Sequence, residues 1–188
     1  MVAVWIVLGV VVLLVLAALI SYNRFVSQRQ YLRNAWANVD TELRRRYDLI
    51  PNLVETVKGY ATHEQNTLES VIRARTRAVA NHGDPEAQAA DENVLVDALR
   101  HLLALQEDYP DLKANESFLE LQRELVSTED RIQAARRFFN NNVRDYNRRV
   151  QSIPSTFVAR LTGFHEEQYF EIEAAVREAP TSSFDEIA

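Results

Sequence analysis

The side chains that most often carry chemistry are few and scattered in this sequence. The four histidines, His63, His82, His101 and His165, are never paired at a spacing of four. No Glu stands three residues before any of them, so the Glu-x-x-His arrangement that holds metal pairs inside helical bundles is missing. His63-Glu64-Gln65-Asn66-Thr67 opens like a zinc-protease helix but carries Thr where the second His is required. Cysteine is absent, which removes disulfides, thiolate metal sites, iron–sulfur ligation and a cysteine nucleophile. There is no glycine-rich phosphate loop and no Gly-x-Ser-x-Gly elbow. The 27 carboxylates have no cleft residue to organise them and read as solvated helix faces. The expectation is a protein that is not an enzyme and uses no metal or cofactor.

Two polar sets remain. Arginine outnumbers lysine 19 to 2. The run Arg44-Arg45-Arg46 is offset by Asp40, Glu42 and Asp48, and the pair Arg136-Arg137 by Glu129, Asp130 and Asp145, which points to ion pairing between helices. Nucleic-acid binding calls for a basic face and a basic balance, whereas the net charge here is −6, so no nucleic-acid partner is expected. Arg24, Arg29 and Arg33 are placed differently, directly after an apolar run, and suit lipid headgroups at about 1 kcal/mol each near an anionic surface. The second set is Asn140-Asn141-Asn142 with Asn147. Asn140 and Asn147 lie seven apart beside an apolar stripe, where an amide costs stability unless paired and commonly fixes register. With Arg136 they can form a polar seam against Arg46, Asn52 or Glu64. A structural network is the favoured reading and a binding groove the sharper alternative.

The elements that would position these residues begin with MVAVWIVLGVVVLLVLAALI, 20 residues without a charge. As a helix it reaches roughly 30 Å, the thickness of a hydrocarbon core. No Lys or Arg precedes it and no small-x-small site follows it, so a retained anchor is expected rather than a cleaved signal. Because the basic residues lie after the span, the positive-inside rule puts the N-terminus outside and residues 21–188 in the cytoplasm.

Beyond the span, apolar residues recur at helical spacing: Leu32, Trp36, Val39, Leu43, Tyr47 and Ile50, then Leu53, Val57, Leu68, Val71 and Val79. Asn81-His82-Gly83-Asp84-Pro85 signals a turn and a new helix, which Tyr109-Pro110-Asp111 stops. Phe118 to Ile153 carries a near-heptad stripe over about five heptads and ends at Pro154. No segment alternates with period two, so the soluble part is all-α. Pro51 can either open a new helix after a tight reversal or kink a continuous one. The acidic imbalance sits wholly in residues 165–188, where Tyr169, Phe170, Ile172 and Val176 mark one short amphipathic turn or helix. The division expected is an anchor over 1–21, a helical bundle over 22–164 and an acidic tail over 165–188.

Two stretches resemble the LemA family of bacterial membrane proteins. One is Trp36-Ala37-Asn38-Val39-Asp40 with Arg46-Tyr47-Asp48-Leu49-Ile50-Pro51-Asn52 and Lys58-Gly59-Tyr60-Ala61-Thr62-His63-Glu64. The other is Glu129-Asp130-Arg131 through Arg136-Arg137-Phe138-Phe139-Asn140, with Val143, Tyr146-Asn147 and Pro154. Gly163-Phe164, Tyr169-Phe170-Glu171 and Phe184 resemble the family's ending. Asp130 and Phe139 depart from the Asn and Tyr common there. The resemblance implies an anchor followed by an antiparallel four-helix bundle, which favours a reversal or sharp bend at Pro51. It implies no enzymatic activity, and associations with the bacterial envelope, with an intracellular membrane organelle and with membrane proteases. The expectation is a membrane-anchored scaffold of the bacterial inner membrane that self-associates and organises or remodels the bilayer. The alternative is an adaptor that recruits an envelope enzyme or membrane protease through its bundle or acidic tail. The partners expected are the lipid bilayer, further copies of the chain and, for the adaptor, an envelope protein.

Overall fold

A computed structural model describes residues 1–81 and 84–172. Among them the chain is all-α, with six α-helices and one 3-10 turn. Helix α1 spans Val2–Lys58, α2 Gln65–Ala80, α3 Pro85–Ala104, α4 Pro110–Lys113, α5 Glu116–Gln151 and α6 Ser155–Thr162, with the 3-10 turn Leu105–Glu107 after α3. Residues 1–20 are apolar and exposed throughout and lie in the one helix among the described residues long and apolar enough to cross a membrane. The helix continues without a break through residues 21 and 22, and Phe25 is already fully buried. The exposed apolar stretch and the start of the core therefore share one helix.

The chain divides into two compact units. The first comprises Met1–Thr41 and Ala134–Phe170. Its core is aromatic: Phe25 stacks on Phe164 at 4.9 Å and meets Tyr146 edge-on at 6.0 Å, while Trp36 packs against Phe139 at 5.2 Å and Phe170 at 5.1 Å. Such pairs add about 0.5–1.5 kcal/mol each beyond their buried area. The second unit comprises Glu42–Gln133, with Glu171 and Ile172 as the described part of its C-terminal stretch. Here the second half of α1 (Leu43, Ile50, Leu53, Val57), α2 (Leu68, Val71), α3 (Leu95, Leu99, Leu102) and the first half of α5 (Phe118, Leu125, Ile132) supply a mainly aliphatic core. Asp84 caps α3 by accepting from the Ala87 N–H at 2.8 Å, with Pro85 at the first helical position. Asn115 caps α5 through the Phe118 N–H at 2.8 Å.

Of the two readings of Pro51, the continuous helix is the one observed, and the reversal that the resemblance favoured is absent. Helix α1 passes through Pro51 and ends at Lys58; the chain turns at Gly59–Glu64 instead, closed by bonds from the Ala61 N–H to the Val57 carbonyl (2.9 Å) and from the Glu64 N–H to the Ala61 carbonyl (3.1 Å). Proline has no N–H to give the carbonyl four residues back, which belongs to Tyr47. Arg75 of α2 donates to that carbonyl through Nε at 2.7 Å. A side chain from a neighbouring helix thus stands in for the missing rung.

Three further boundaries differ from expectation. Helix α3 stops at Ala104, short of Tyr109, and Pro110 opens the short α4 instead of merely stopping a helix. Helix α5 ends at Gln151, leaving Ile153 outside it and exposed, because Pro154 denies the residue before it a helical backbone. Residues 164–172 form no helix; Phe170 and Ile172 are buried to either side of exposed Glu171, a period-two pattern, and Val176 lies outside the described residues.

Candidate functional site

Arg46 on α1 is a fully buried polar group of the second unit. It sits three residues after Leu43 and four before Ile50, within the apolar stripe, so the helix that buries them buries it too. Two acidic side chains meet it. Glu129 of α5 accepts from Nη1 at 2.8 Å, and Glu92 of α3 pairs with Nη2. Tyr47 donates its hydroxyl to Glu92, and the Gln88 amide donates to Glu92 at 2.8 Å and to the Ala78 carbonyl at 3.1 Å. Burial works to lower the Arg46 pKa, but the charges of Glu129 and Glu92 outweigh it and hold the group above its ordinary value. The guanidinium fork can address two carboxylates at once, so one residue ties three helices. With every member buried, the cluster offers no approach to a substrate.

The first unit carries a different device. The Asn140 side chain donates to the Phe170 carbonyl at 3.0 Å and accepts from the Phe170 N–H at 2.9 Å. Asn147 does the same with Glu167, at 2.9 Å and 2.8 Å. Each primary amide thus reproduces the paired donor and acceptor of a neighbouring strand. The spacing explains why two such clamps work together. Seven helical residues rise about 10.5 Å, which is about the greatest reach of three chain residues. Two rungs on α5 therefore match residues 167 and 170 of the non-helical segment after α6. Phe170 is fully buried against Trp36, and the Arg29 guanidinium lies 5.6 Å from the Phe164 ring centre and 3.9 Å from the Glu167 carboxylate. Tyr146, on the adjoining buried stripe of α5 with Phe139 and Val143, is buried with its hydroxyl lacking a hydrogen-bond partner among the described residues. Burial raises its pKa, the Glu167 charge adds to that, and Arg29 opposes it.

The residues of the anticipated seam fall in both units. Arg46, Asn52 and Glu64 lie in the second: Arg46 in its cluster, Asn52 exposed, and Glu64 accepting from the Tyr109 hydroxyl at 3.2 Å. Arg136, Asn140 and Asn147 lie in the first, where Arg136 is half-buried and engaged. Arg24, Arg29 and Arg33 are exposed on α1 in the turns after the apolar run. Sequence reasoning missed Glu92 and Glu129 as partners of Arg46, and Tyr47 and Gln88 as donors to Glu92. The signal was present: Gln88, Glu92, Leu95 and Leu99 follow one helical stripe, so the first two occupy core positions. Among the described residues no group of three or more His, Asp or Glu can hold a metal ion.

Comparison with known proteins adds a family. The model described as the LemA family matches residues 35–184. Magnetosome protein MamQ 2 of Paramagnetospirillum magneticum is 26% identical over 190 residues, covering 88% of this chain and 70% of that protein. Magnetosome protein MamQ of Magnetospirillum gryphiswaldense is 27% identical over 177 residues, covering 81% and 65%. Protein LemA of Metamycoplasma hominis is 24% identical over 139 residues, covering 73% and 63%.

Proposed function

Since this chain belongs to the LemA family, we propose that it is a membrane-anchored helical scaffold that self-associates and organises or remodels the bacterial inner membrane. Its family and its lack of cysteine and of a metal-binding cluster among the described residues support a non-enzymatic protein. The observation that carries the scaffold reading is the unbroken passage of α1 from the exposed apolar stretch into the aromatic core of the first unit. A scaffold that shapes a bilayer needs its folded part coupled to the span without slack, and one helix supplies that coupling. Similarity to proteins named as magnetosome proteins supports an organising role at a membrane.

In this reading the N-terminus lies outside and residues 21–188 in the cytoplasm, with Arg24, Arg29 and Arg33 against anionic headgroups. Residues 42–58, α2, α3 and 116–133 make up the antiparallel four-helix bundle. The Arg46 cluster and the Asn140 and Asn147 clamps are structural, each holding one unit in register. A second reading, an adaptor, draws on the clamps themselves: α5 recognises non-helical backbone irrespective of side chain, so it is suited in kind to a partner's peptide. Reconstitution of the full chain into phosphatidylcholine–phosphatidylglycerol vesicles separates the two. A scaffold gives ordered assemblies or deformed vesicles by electron microscopy. A chain that stays monomeric in the bilayer by stepwise photobleaching overturns the scaffold and leaves the adaptor.

A further inference from the structure

We infer that α6 lies in the membrane interface, giving the chain a second grip on the bilayer besides its anchor. The inference rests on the reading of residues 2–20 as a membrane span. Helix α6 packs inward through Ala159, which is 1% exposed, while Phe157 and Leu161 are 63% and 90% exposed. Residues four apart stand one above the other on a helix, so these two form one apolar face turned away from the core. Ile153, just before the helix, is exposed as well. Large apolar side chains gathered on one face, unlike scattered ones, mark an interaction surface.

What covers that face follows from where α6 ends. Gly163, at a φ of 74° that disfavours any side chain, closes the helix, and the Phe164 N–H donates to the Ala159 carbonyl at 3.0 Å. The Phe164 ring then stacks on Phe25 and lies 5.8 Å from the Tyr22 ring. Tyr22 is two residues beyond the apolar run, so the last turn of α6 is held close to the edge of the hydrocarbon region. The charge there is suited to anionic headgroups. Residues 1–39 contain no acid, Arg24 and Arg29 are exposed on α1, and α6 itself carries Arg160 and no acid; Glu166 and Glu167 follow, with Arg29 facing the latter. An amphipathic helix of this kind sinks its apolar face about 5–10 Å into the headgroup region. Eight residues bind a membrane weakly alone, but the anchor keeps them there at high effective concentration.

The absence of native cysteine allows clean single-site labelling of the full chain in phosphatidylcholine–phosphatidylglycerol vesicles. A nitrobenzoxadiazole label is placed in turn at Phe157→Cys, Leu161→Cys, Thr162→Cys and, within the span, Leu13→Cys. Labels at 157 and 161 are expected to be blue-shifted, quenched by lipid spin-labelled near the headgroup and shielded from aqueous iodide. The label at 162, exposed off that face, stays open to iodide. Leu161→Glu is expected to abolish lipid quenching at 157. If 157 and 161 are open to iodide and untouched by the lipid quencher while 13 responds to a deep quencher, α6 is off the membrane and the inference is overturned with the span intact. No response at 13 removes the span reading itself. Shielding from iodide without lipid quenching shows a second copy on the face, which also overturns the inference.

Discussion

Replacing Asn147 by Leu tests whether the α5 clamps hold the segment after Gly163. The change deletes two hydrogen bonds, from the amide to the Glu167 carbonyl and from the Glu167 N–H to the amide. A protein hydrogen bond contributes about 0.5–1.5 kcal/mol net, so the pair is worth about 1–3 kcal/mol. Both groups on Glu167 are only part-buried, so water can take them up and the full desolvation penalty does not apply. Local opening of the segment becomes about 5- to 150-fold easier, since 1.4 kcal/mol is a factor of ten. Hydrogen exchange of the full chain in detergent, followed at the Glu167 and Phe170 amides, reads this directly, and helicity by circular dichroism stays high. Asn147→Asp should fall between, because a carboxylate still accepts from the Glu167 N–H but cannot donate to its carbonyl. Asn142→Leu is the control: that amide donates to the Phe138 carbonyl of its own helix and is exposed, so the change should be worth less than about 0.5 kcal/mol. Unchanged exchange at Glu167 in Asn147→Leu, or equal acceleration in Asn142→Leu, would refute the clamp.

Further outcomes follow from the other groups. Arg46→Met leaves Glu92 and Glu129 buried without their cation and should cost about 3–5 kcal/mol in urea unfolding; adding Glu92→Gln and Glu129→Gln should recover most of it. Arg75→Met should cost about 1 kcal/mol, and that cost should shrink in a Pro51→Ala background, where a backbone N–H again serves the Tyr47 carbonyl; equal costs in both backgrounds would contradict the substitution of one donor for the other. Tyr146 has a folded pKa above its ordinary 10.0, so the fold favours the neutral phenol. Its contribution is complete below pH 10 and is lost as pH rises through the folded value, and Tyr146→Phe should flatten that alkaline loss of stability in pH-dependent melts. For orientation, a reporter fused after Ala188 should be cytoplasmic, and protease added outside intact cells should leave residues 30–188 uncut.

How far the fold could be read in advance depended on what kind of signal each residue carries. Asp84-Pro85 marks the start of α3, and Pro154 stops α5 within three residues of its end, because capping and proline geometry act locally. The stripes through Leu43, Ile50, Leu125 and Phe139 are legible because periodicity alone fixes a buried face. Arg46 breaks that rule: it occupies a core position, and its type argues for solvent until Glu92 and Glu129 are brought to it by two other helices. Pro51 misleads for a similar reason. Its local preference ends a helix, and the donor that lets the helix continue is Arg75, 24 residues away. Asn140 and Asn147 stand out as amides beside a core, but their partners are backbone groups of Glu167 and Phe170, and a backbone amide leaves no mark in a sequence.

The same tertiary donor bears on the choice between scaffold and adaptor. A protein that only tethers a recruiting module to a membrane has no need of a stiff connection, and flexible glycine- or serine-rich segments serve that purpose. Here the residues after the apolar run contain no glycine until Gly59, and the one proline on the way is bridged at the cost of committing an arginine from another helix. Once a helix is nucleated, each added residue brings one backbone hydrogen bond against the entropy of fixing it, so the chain needs no further device to stay helical through Thr41, where the first unit's part of α1 ends. In that stretch Phe25, Leu32, Ala35 and Val39 are buried, which fixes the rotation of the helix about its axis in the aromatic core. A span continuous with a helix so fixed cannot turn freely in the bilayer without turning that core with it. Order among neighbouring copies would then be imposed on their spans, and through them on the lipid, which is what organising a membrane physically requires.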